Sequence, residues 1–247
     1  MQDTSNYSRA FYETFAAAIP AGHTALEADA TARLAPPEAF PRLLEVACGT
    51  GRVIAALAAR GFDVTGIDAN VEALRAARLS TPRGRFVGLD FRHIGKMRWT
   101  FDVVVSYWNS IGFSTRADDE DVLRAMAAIL RPGGRLLLDL YHPDWLAAHQ
   151  MRGVRDPRGA LVDRWLEDGR SCHRFEYADG SVDDIRFNVY RPGEMTDLLA
   201  RTGYVVDAPL VWWTHDDVPS AAYARYQLAA RTGASRPPST AIGVKAR

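Results

Sequence analysis

The sequence predicts an α/β fold: a mostly parallel sheet of seven strands, with helices on both faces and an inserted antiparallel hairpin. Three observations predict it. Short apolar runs alternate with segments of helical periodicity, a turn with two glycines follows the first run, and an acidic residue ends the second run. The length of 247 residues suits one such domain with an insertion.

The N-terminal segment, residues 1–42, is predicted to be helical. Its aromatic residues recur at about one helical turn. They are Tyr7, Phe11, Tyr12 and Phe15. Packing against a core would explain this stripe, and so would a lid over a ligand cleft. We expect a helical lid, which ends at a proline-rich stretch before the first strand.

The first strand covers residues 43–46 and leads into a turn that contains Gly49 and Gly51. A helical segment follows, and the next apolar run ends at Asp68. This is the plan of a nucleotide-binding βαβ unit, in which glycines let the backbone approach the ligand and the acidic residue takes the ribose hydroxyls. A dinucleotide site needs a third glycine, but Ile54 stands at that position.

Glu45 lies four residues before Gly49, which gives the sequence E-V-A-C-G-T-G. On these residues the chain resembles the class I S-adenosylmethionine-dependent methyltransferases, whose first motif runs acidic-x-Gly-x-Gly-x-Gly. It departs from the motif at Ala47, where the first glycine is expected. The resemblance implies a Rossmann-like fold with S-adenosylmethionine as cofactor and S-adenosylhomocysteine as product.

The third strand, residues 85–91, ends in Asp90 and Phe91. In the family, an acidic residue here faces the adenine amino group while its neighbour packs beside the ring. An aromatic lid residue would also be able to contact the sulfonium by cation–π attraction. The cofactor-binding residues that the resemblance implies are Glu45, Ala47, Gly49, Gly51, Asp68, Ala69, Asp90, Phe91, Ser106 and Tyr12.

The fourth strand begins at Phe101 and ends in a polar and aromatic segment, residues 106–113. This segment is similar to the N-S-x-G segment of several small-molecule methyltransferases. The similarity implies that Asn109 and Ser110 present hydrogen bonds to the methyl acceptor. The alternative is that both residues cap the following helix or brace a loop.

Beyond the fifth strand, residues 135–140, the chain departs from the βα alternation. Two segments with alternating apolar residues flank a turn at residues 178–181, which predicts an antiparallel hairpin. In the family such insertions often cover the acceptor pocket. A helix at 195–201 and strands at 203–210 and 222–231 complete the sheet.

These elements give three parts of the chain. Residues 1–42 form the lid, residues 43–232 the methyltransferase domain with its insertion at about 150–192, and residues 233–247 a disordered tail.

Methyl transfer from a sulfonium is an in-line displacement, so the protein mainly has to position two partners and keep the nucleophile unprotonated. Tyr141 and His142 directly follow the fifth strand and are candidates for a catalytic base or orienting group, together with Asn109. His173 in the hairpin is a further candidate. A structural role is the alternative for each histidine.

The composition argues against several classes of protein. Thirty basic residues balance thirty acidic ones, which gives no electrostatic case for nucleic acid. Two cysteines support neither a disulfide framework nor a metal site. The polar N-terminus and the lack of a long apolar run predict a cytoplasmic protein without a membrane partner. The oligomeric state is open, with a homodimer as one option.

The leading hypothesis is therefore an S-adenosylmethionine-dependent methyltransferase that acts on a small molecule. An amine nitrogen is the favoured acceptor atom and oxygen the second choice. The alternatives are an NAD-dependent oxidoreductase and a non-catalytic protein that binds S-adenosylmethionine as a partner of another protein.

Overall fold

The computed structural model describes residues 7–233, arranged in strands and helices around two sheets. The predicted tail, apart from residue 233, lies outside the described residues. The strands are β1 Arg42–Val46, β2 Asp63–Asp68, β3 Arg85–Gly88, β4 Phe101–Ser106, β5 Leu130–Tyr141, β6 Met151–Arg155, β7 Leu161–Glu167, β8 Arg170–Glu176, β9 Val182–Asn188, β10 Tyr204–Val206 and β11 Arg225–Thr232. The α-helices are α1 Arg9–Thr14, α2 Ala21–Leu34, α3 Arg52–Ala58, α4 Val71–Ser80, α5 Arg116–Ile129, α6 Pro143–Ala148 and α7 Pro192–Arg201.

The main sheet has seven strands in the order β10–β11–β5–β4–β1–β2–β3. Neighbouring strands from β5 to β3 are parallel, whereas β11 is antiparallel to both β5 and β10. The predicted Rossmann-like, mostly parallel fold is confirmed.

Helices cover both faces of this sheet, because successive strand residues point to opposite sides. Leu43 packs in a cluster with residues of α2, α3 and α4, while its neighbour Leu44 packs with residues of α5 and α7. All six residues of β4 are buried, as expected for a central strand between two helical layers.

The second sheet is antiparallel, in the order β6–β7–β8–β9, and it is inserted between α6 and α7. The predicted hairpin is present as β8 and β9. Strands β6 and β7 extend it to four strands and were not predicted. The charged sequence of β6 leaves most of its residues exposed, and β7 is half-buried over most of its length, so neither shows a clear alternation.

Several boundaries differ from the prediction for local reasons. The fifth strand, predicted over residues 135–140, begins earlier, at Leu130, and its start is irregular because the pairing shifts from Phe101 with Leu130 to Val103 with Arg135. Strand β10 ends at Val206. Beyond it, the N–H of Asp207 donates to the carbonyl of Ala229 at 2.9 Å, and an isolated bridge pairs Leu210 with Gln227. No helix between residues 7 and 233 is long and apolar enough to cross a membrane.

Candidate active site

A cavity of about 500 Å³ opens at the carboxyl ends of the parallel strands, where open α/β sheets bind ligands. We call one side the strand-tip end; residues after β1, β2 and β3 line it, among them Ala47, Asp68 and Asp90. The other side is the second-sheet end, lined by Val154, Arg164, His173 and their neighbours. The aromatic residues Tyr7, Phe11, Tyr12 and Phe15 around α1 also line the cavity.

The glycine turn after β1 depends on three residues with left-handed backbone angles. The φ angles are +56° at Ala47, +53° at Gly49 and +77° at Gly51. A Cβ atom at Gly49 would lie 2.9 Å from the ring of Tyr12, so the glycine lets Tyr12 approach the turn. Ala47 takes the same conformation without a glycine, which carries a steric cost.

Gly51 does not line the cavity; it allows helices α3 and α4 to pack closely. It is the N-cap of α3, and a Cβ atom there would lie 2.8 Å from Cβ of Ala77 in α4. The buried side chain of Ile54 is accommodated by Gly66 on β2, where a Cβ atom would lie 2.5 Å from Ile54 Cδ1. In a dinucleotide site, a glycine on the helix allows the helix to pack closely on the strand. Here the small residue at this contact is on the strand instead.

Asp68 is buried at the tip of β2 and lines the cavity. Its carboxylate accepts hydrogen bonds from the backbone N–H of Gly49, at 2.8 Å, and of Asn70, at 2.7 Å. Burial raises the pKa of Asp68, and these two hydrogen bonds oppose that shift. Each carboxylate oxygen has a further lone pair, so a fixed carboxylate remains able to accept from a ligand.

Asp90 lies on the same cavity, together with Phe91. The Nε atom of Arg92 donates to both carboxylate oxygens of Asp90, at 3.0 and 2.9 Å. This contact lowers the pKa of Asp90. The backbone bond from Leu89 N–H to the carbonyl of Asp68, at 2.9 Å, holds the ends of β2 and β3 together. The two predicted carboxylates thus meet at one site.

Glu45 is a buried carboxylate at the cavity whose Oε2 atom has no hydrogen-bond partner among the described residues. Burial raises its pKa to about 8, with Arg52 opposing the shift. Arg52 is itself held at 2.7 Å by Glu27 of α2. An unpartnered carboxylate oxygen facing a buried site favours a cationic ligand.

The other predicted cofactor residues divide between the cavity wall and the core. Ala69 and Tyr12 line the cavity. Ser106 is buried, its hydroxyl has no hydrogen-bond partner among residues 7–233, and it does not line the cavity, so its contact with the cofactor stays a prediction. Ser110 lines the cavity and donates to the carbonyl of Tyr107 at 2.9 Å.

Tyr141 and His173 lie together at the second-sheet end, with ring centroids 6.2 Å apart. The Nε2 atom of His173 is 2.9 Å from the hydroxyl of Ser171. Burial, assisted by the nearby charge of Arg164, lowers the pKa of His173 to about 3. His173 is therefore neutral at physiological pH and acts as a hydrogen-bonding group.

Asn109 and His142 do not line the cavity, so a role for them at the acceptor stays a prediction. Asn109 braces its loop: its side chain accepts from the backbone of Tyr141 at 2.8 Å and donates to the carbonyl of Ile111 at 3.2 Å. His142 caps α6 by accepting from the N–H of Asp144 at 3.3 Å. Within residues 7–233, no group of three or more His, Cys, Asp or Glu is arranged to hold a metal ion.

The sequence did not reveal Trp108, which also lines the cavity. Its indole N–H donates to Glu27 at 2.7 Å, and its backbone φ is +58°. Strained residues of this kind concentrate at functional sites. The tryptophan at the end of β4 was visible in the sequence, but its partner on α2 lies 81 positions away.

Comparisons with known proteins agree with this geometry. Residues 43–134 match a family model described as methyltransferase domain. The chain is 35% identical to a putative methyltransferase, YqeM, of Bacillus subtilis, over 40% of this chain and 42% of the relative. That relative is thus matched over less than half of its length.

Two solved structures share the fold over most of their length. A S-adenosylmethionine-dependent methyltransferase from Clostridium acetobutylicum superimposes with a TM-score of 0.75 and 14% identity, covering 90% of this chain and 96% of the other. CalS10 from Micromonospora echinaspora, described as an amino pentose methyltransferase with bound S-adenosylmethionine, has a TM-score of 0.64 and 22% identity, covering 92% and 98%.

Proposed function

We propose that this chain, which carries a methyltransferase domain with the class I fold, is an enzyme that transfers a methyl group from S-adenosylmethionine to a small-molecule acceptor. The observation that carries the proposal is the set of three carboxylates beside the glycine turn. Glu45, Asp68 and Asp90 all line the strand-tip end of one cavity.

The residues of this end fit the cofactor. The unpartnered oxygen of Glu45 suits the ammonium of the methionine part. Asp68, fixed by two backbone N–H groups, suits the ribose hydroxyls, and Asp90 with Phe91 suits the adenine. When bound, the cofactor supplies an electrophilic methyl group on a charged sulfur.

The residues of the second-sheet end then have to orient the acceptor and hold its nucleophile unprotonated. Tyr141 and His173 line this end and would contact the acceptor by hydrogen bonds. The aromatic residues of α1 would exclude water from the transfer. The contact between Tyr12 and Gly49 is the basis for the lid role of the N-terminal segment.

We favour an amine nitrogen as the acceptor atom, with oxygen as the second choice. The cationic side chains of Arg155 and Arg164 line the cavity, and they disfavour an ammonium relative to the neutral, nucleophilic amine. The similar fold of CalS10, which is described as acting on an amino pentose, also supports this choice. A cytoplasmic location, the lack of a nucleic-acid partner and the oligomeric state stay predictions.

Titration calorimetry with S-adenosylhomocysteine tests the cofactor, and mass spectrometry of amines, phenols and acids incubated with protein and S-adenosylmethionine tests the reaction. We expect micromolar binding of S-adenosylhomocysteine, no binding of NADH, and a gain of one methyl on an acceptor. Binding of NADH alone would favour an oxidoreductase. Cofactor binding without methylation across the panel would favour the non-catalytic alternative.

A further inference from the structure

Four arginines line the cavity, and their charge partners differ between its two ends. At the strand-tip end, Arg52 pairs with Glu27 and Arg92 pairs with Asp90. At the second-sheet end, neither Arg155 nor Arg164 has a carboxylate within 4.0 Å among residues 7–233. The uncompensated positive charge of the cavity is therefore concentrated on the side where the acceptor would bind.

Arg164 is the better placed of the two, because it is half-buried and held in one orientation. Its Nε and Nη2 atoms donate to the carbonyl of His149 at 3.1 and 2.7 Å. Its guanidinium group stacks 4.8 Å from the ring centroid of Trp145. The Nη1 atom has no hydrogen-bond partner in the described part of the chain. A guanidinium group with an available N–H pair is suited to bind a carboxylate.

The surroundings of Arg164 do not supply the missing negative charge. Asp156 is the carboxylate that the second sheet contributes to the cavity wall, and it lies 3.3 Å from Arg158. His173 is neutral, and burial lowers the pKa of Arg164, because burial takes its charge out of water. An incoming anion would relieve this cost.

The rest of this end is aromatic. Phe15, Phe113, Tyr141 and Phe175 all line the cavity. Flat apolar walls of this kind favour a ring or another apolar body over an open polar chain. The pocket thus combines an aromatic wall with one oriented cation.

We propose that Arg164 anchors a carboxylate of the methyl acceptor, and that the acceptor is an aromatic carboxylic acid that also carries the nucleophile. This inference rests on the proposed function, since it identifies the second-sheet end as the acceptor site. Arg164 would act as a specificity-determining residue. It would hold the acceptor by the charged group that is not methylated.

Binding of three simple probes tests the inference. Benzoate, benzamide and benzylammonium share an aromatic body and differ in charge, and each is titrated into the protein saturated with S-adenosylhomocysteine. We expect benzoate to bind at least about tenfold more tightly than benzamide, since charge-assisted hydrogen bonds to arginine are about twice as strong as neutral ones. Benzylammonium should bind most weakly.

Two variants of Arg164 and one matched control sharpen the test. Arg164→Gln should bring the affinities of benzoate and benzamide to within about threefold of one another, while Arg164→Lys retains part of the difference because it keeps the charge. Arg186→Gln changes an exposed arginine of β9 in the same sheet, outside the cavity wall, and should bind the probes like the wild type. All variants should keep the wild-type affinity for S-adenosylhomocysteine.

The inference is overturned if the wild-type protein binds benzamide or benzylammonium as well as benzoate, or binds none of the three. It is also overturned if Arg164→Gln keeps the selectivity. Failure of the proposed function has a different signature, namely no binding of S-adenosylhomocysteine. In that case the three probes are titrated into the protein alone, and the same selectivity is expected at Arg164.

Discussion

The strand-tip end of the cavity consists of turns that follow consecutive parallel strands, whereas side chains from an inserted sheet form the second-sheet end. The carboxylates of the first end are fixed by local backbone, as with Asp68 and the N–H groups of Gly49 and Asn70. The second end depends on contacts between segments far apart in sequence. The ring of Phe15, for example, packs against the ring of Phe175, with the ring centroids 5.1 Å apart.

The charges at the two ends also differ. At the strand-tip end, Asp68 and the unpartnered oxygen of Glu45 suit a cationic ligand. At the second-sheet end, two arginines without a carboxylate within 4.0 Å among residues 7–233 suit an anionic one. A cavity divided in this way would bind two different molecules at fixed positions. This arrangement is what a transfer reaction between two bound partners requires.

The largest effect should come from Asp68→Ala. This change removes the carboxylate that would bind the ribose and leaves the N–H group of Gly49 without its partner. Hydrogen bonds to charged groups contribute about 1.5–3 kcal/mol each, so the affinity for S-adenosylhomocysteine should fall by about 100-fold. Titration calorimetry measures this loss.

Asp63→Ala is the matched control for Asp68→Ala, because Asp63 lies at the opposite end of β2 and pairs with Arg85 on the surface. It should leave cofactor affinity within about twofold of the wild type, as expected for a surface ion pair. Equal losses in both variants would contradict a ligand role for Asp68 and remove the distinction between the two ends.

The βαβ unit that forms the strand-tip end was predictable from the sequence because its geometry is encoded locally. Glycines, a short strand and an acidic strand end lie within about 25 residues of one another in a βαβ unit. Strands β6 and β7 and the role of Arg164 were not predictable in this way. The packing of that sheet depends on α1 and α6, and an arginine beside a tryptophan in a half-polar strand carries no local signal of a binding site.

The same limit applies to two predicted catalytic residues that lie outside the cavity wall. His142 and Asn109 stand at strand ends, which are favourable positions for a site. Their side chains bond to the adjacent backbone, and the sequence offers no means to distinguish such bonds from contacts to a ligand.

The next largest effect should be the pH dependence that Glu45 gives to stability. Its pKa in the folded protein, about 8, lies above the ordinary value, so the folded state binds more protons than the unfolded state between pH 4.5 and 8. The free energy of unfolding of the ligand-free protein should therefore fall as the pH rises through this range. The contribution cannot exceed about 1.4 kcal/mol per pH unit, and we expect about 2 kcal/mol in all.

Denaturant unfolding of wild-type protein and Glu45→Gln at pH 5, 6.5 and 8 measures this contribution. The variant should lose the decline that the wild type shows, and saturating S-adenosylmethionine should also suppress it, because its ammonium stabilises the ionised form of Glu45. Parallel curves for the two proteins would mean that Glu45 is ionised throughout and has a charge partner at the strand-tip end.

A smaller effect should follow from loosening the N-terminal segment around α1, which contacts Gly49 at one end of the cavity and Phe175 at the other. Ser8 caps α1 and donates from its hydroxyl to Asp183 of β9 at 2.8 Å, so it connects this segment to the second sheet. Ser8→Ala should lower the free energy of unfolding by about 1 kcal/mol. It should also lower the affinity for S-adenosylhomocysteine by about threefold. Arg9→Ala, which removes only an exposed ion pair with Glu13, should leave the affinity unchanged.

The smallest effect tests the local backbone of the strand-tip end. Ala47 has a φ of +56°, a conformation that costs a residue with a Cβ atom about 1 kcal/mol relative to glycine. Ala47→Gly should therefore raise the free energy of unfolding by about 0.5–1 kcal/mol. Ala58→Gly, at the last residue of helix α3, should lower it by about 0.5 kcal/mol, since glycine loses more backbone freedom on folding than alanine. If the free energy of unfolding rises in Ala47→Gly and falls in Ala58→Gly, the backbone strain lies in the turn after β1. A loss of stability in both variants would mean that Ala47 is not strained.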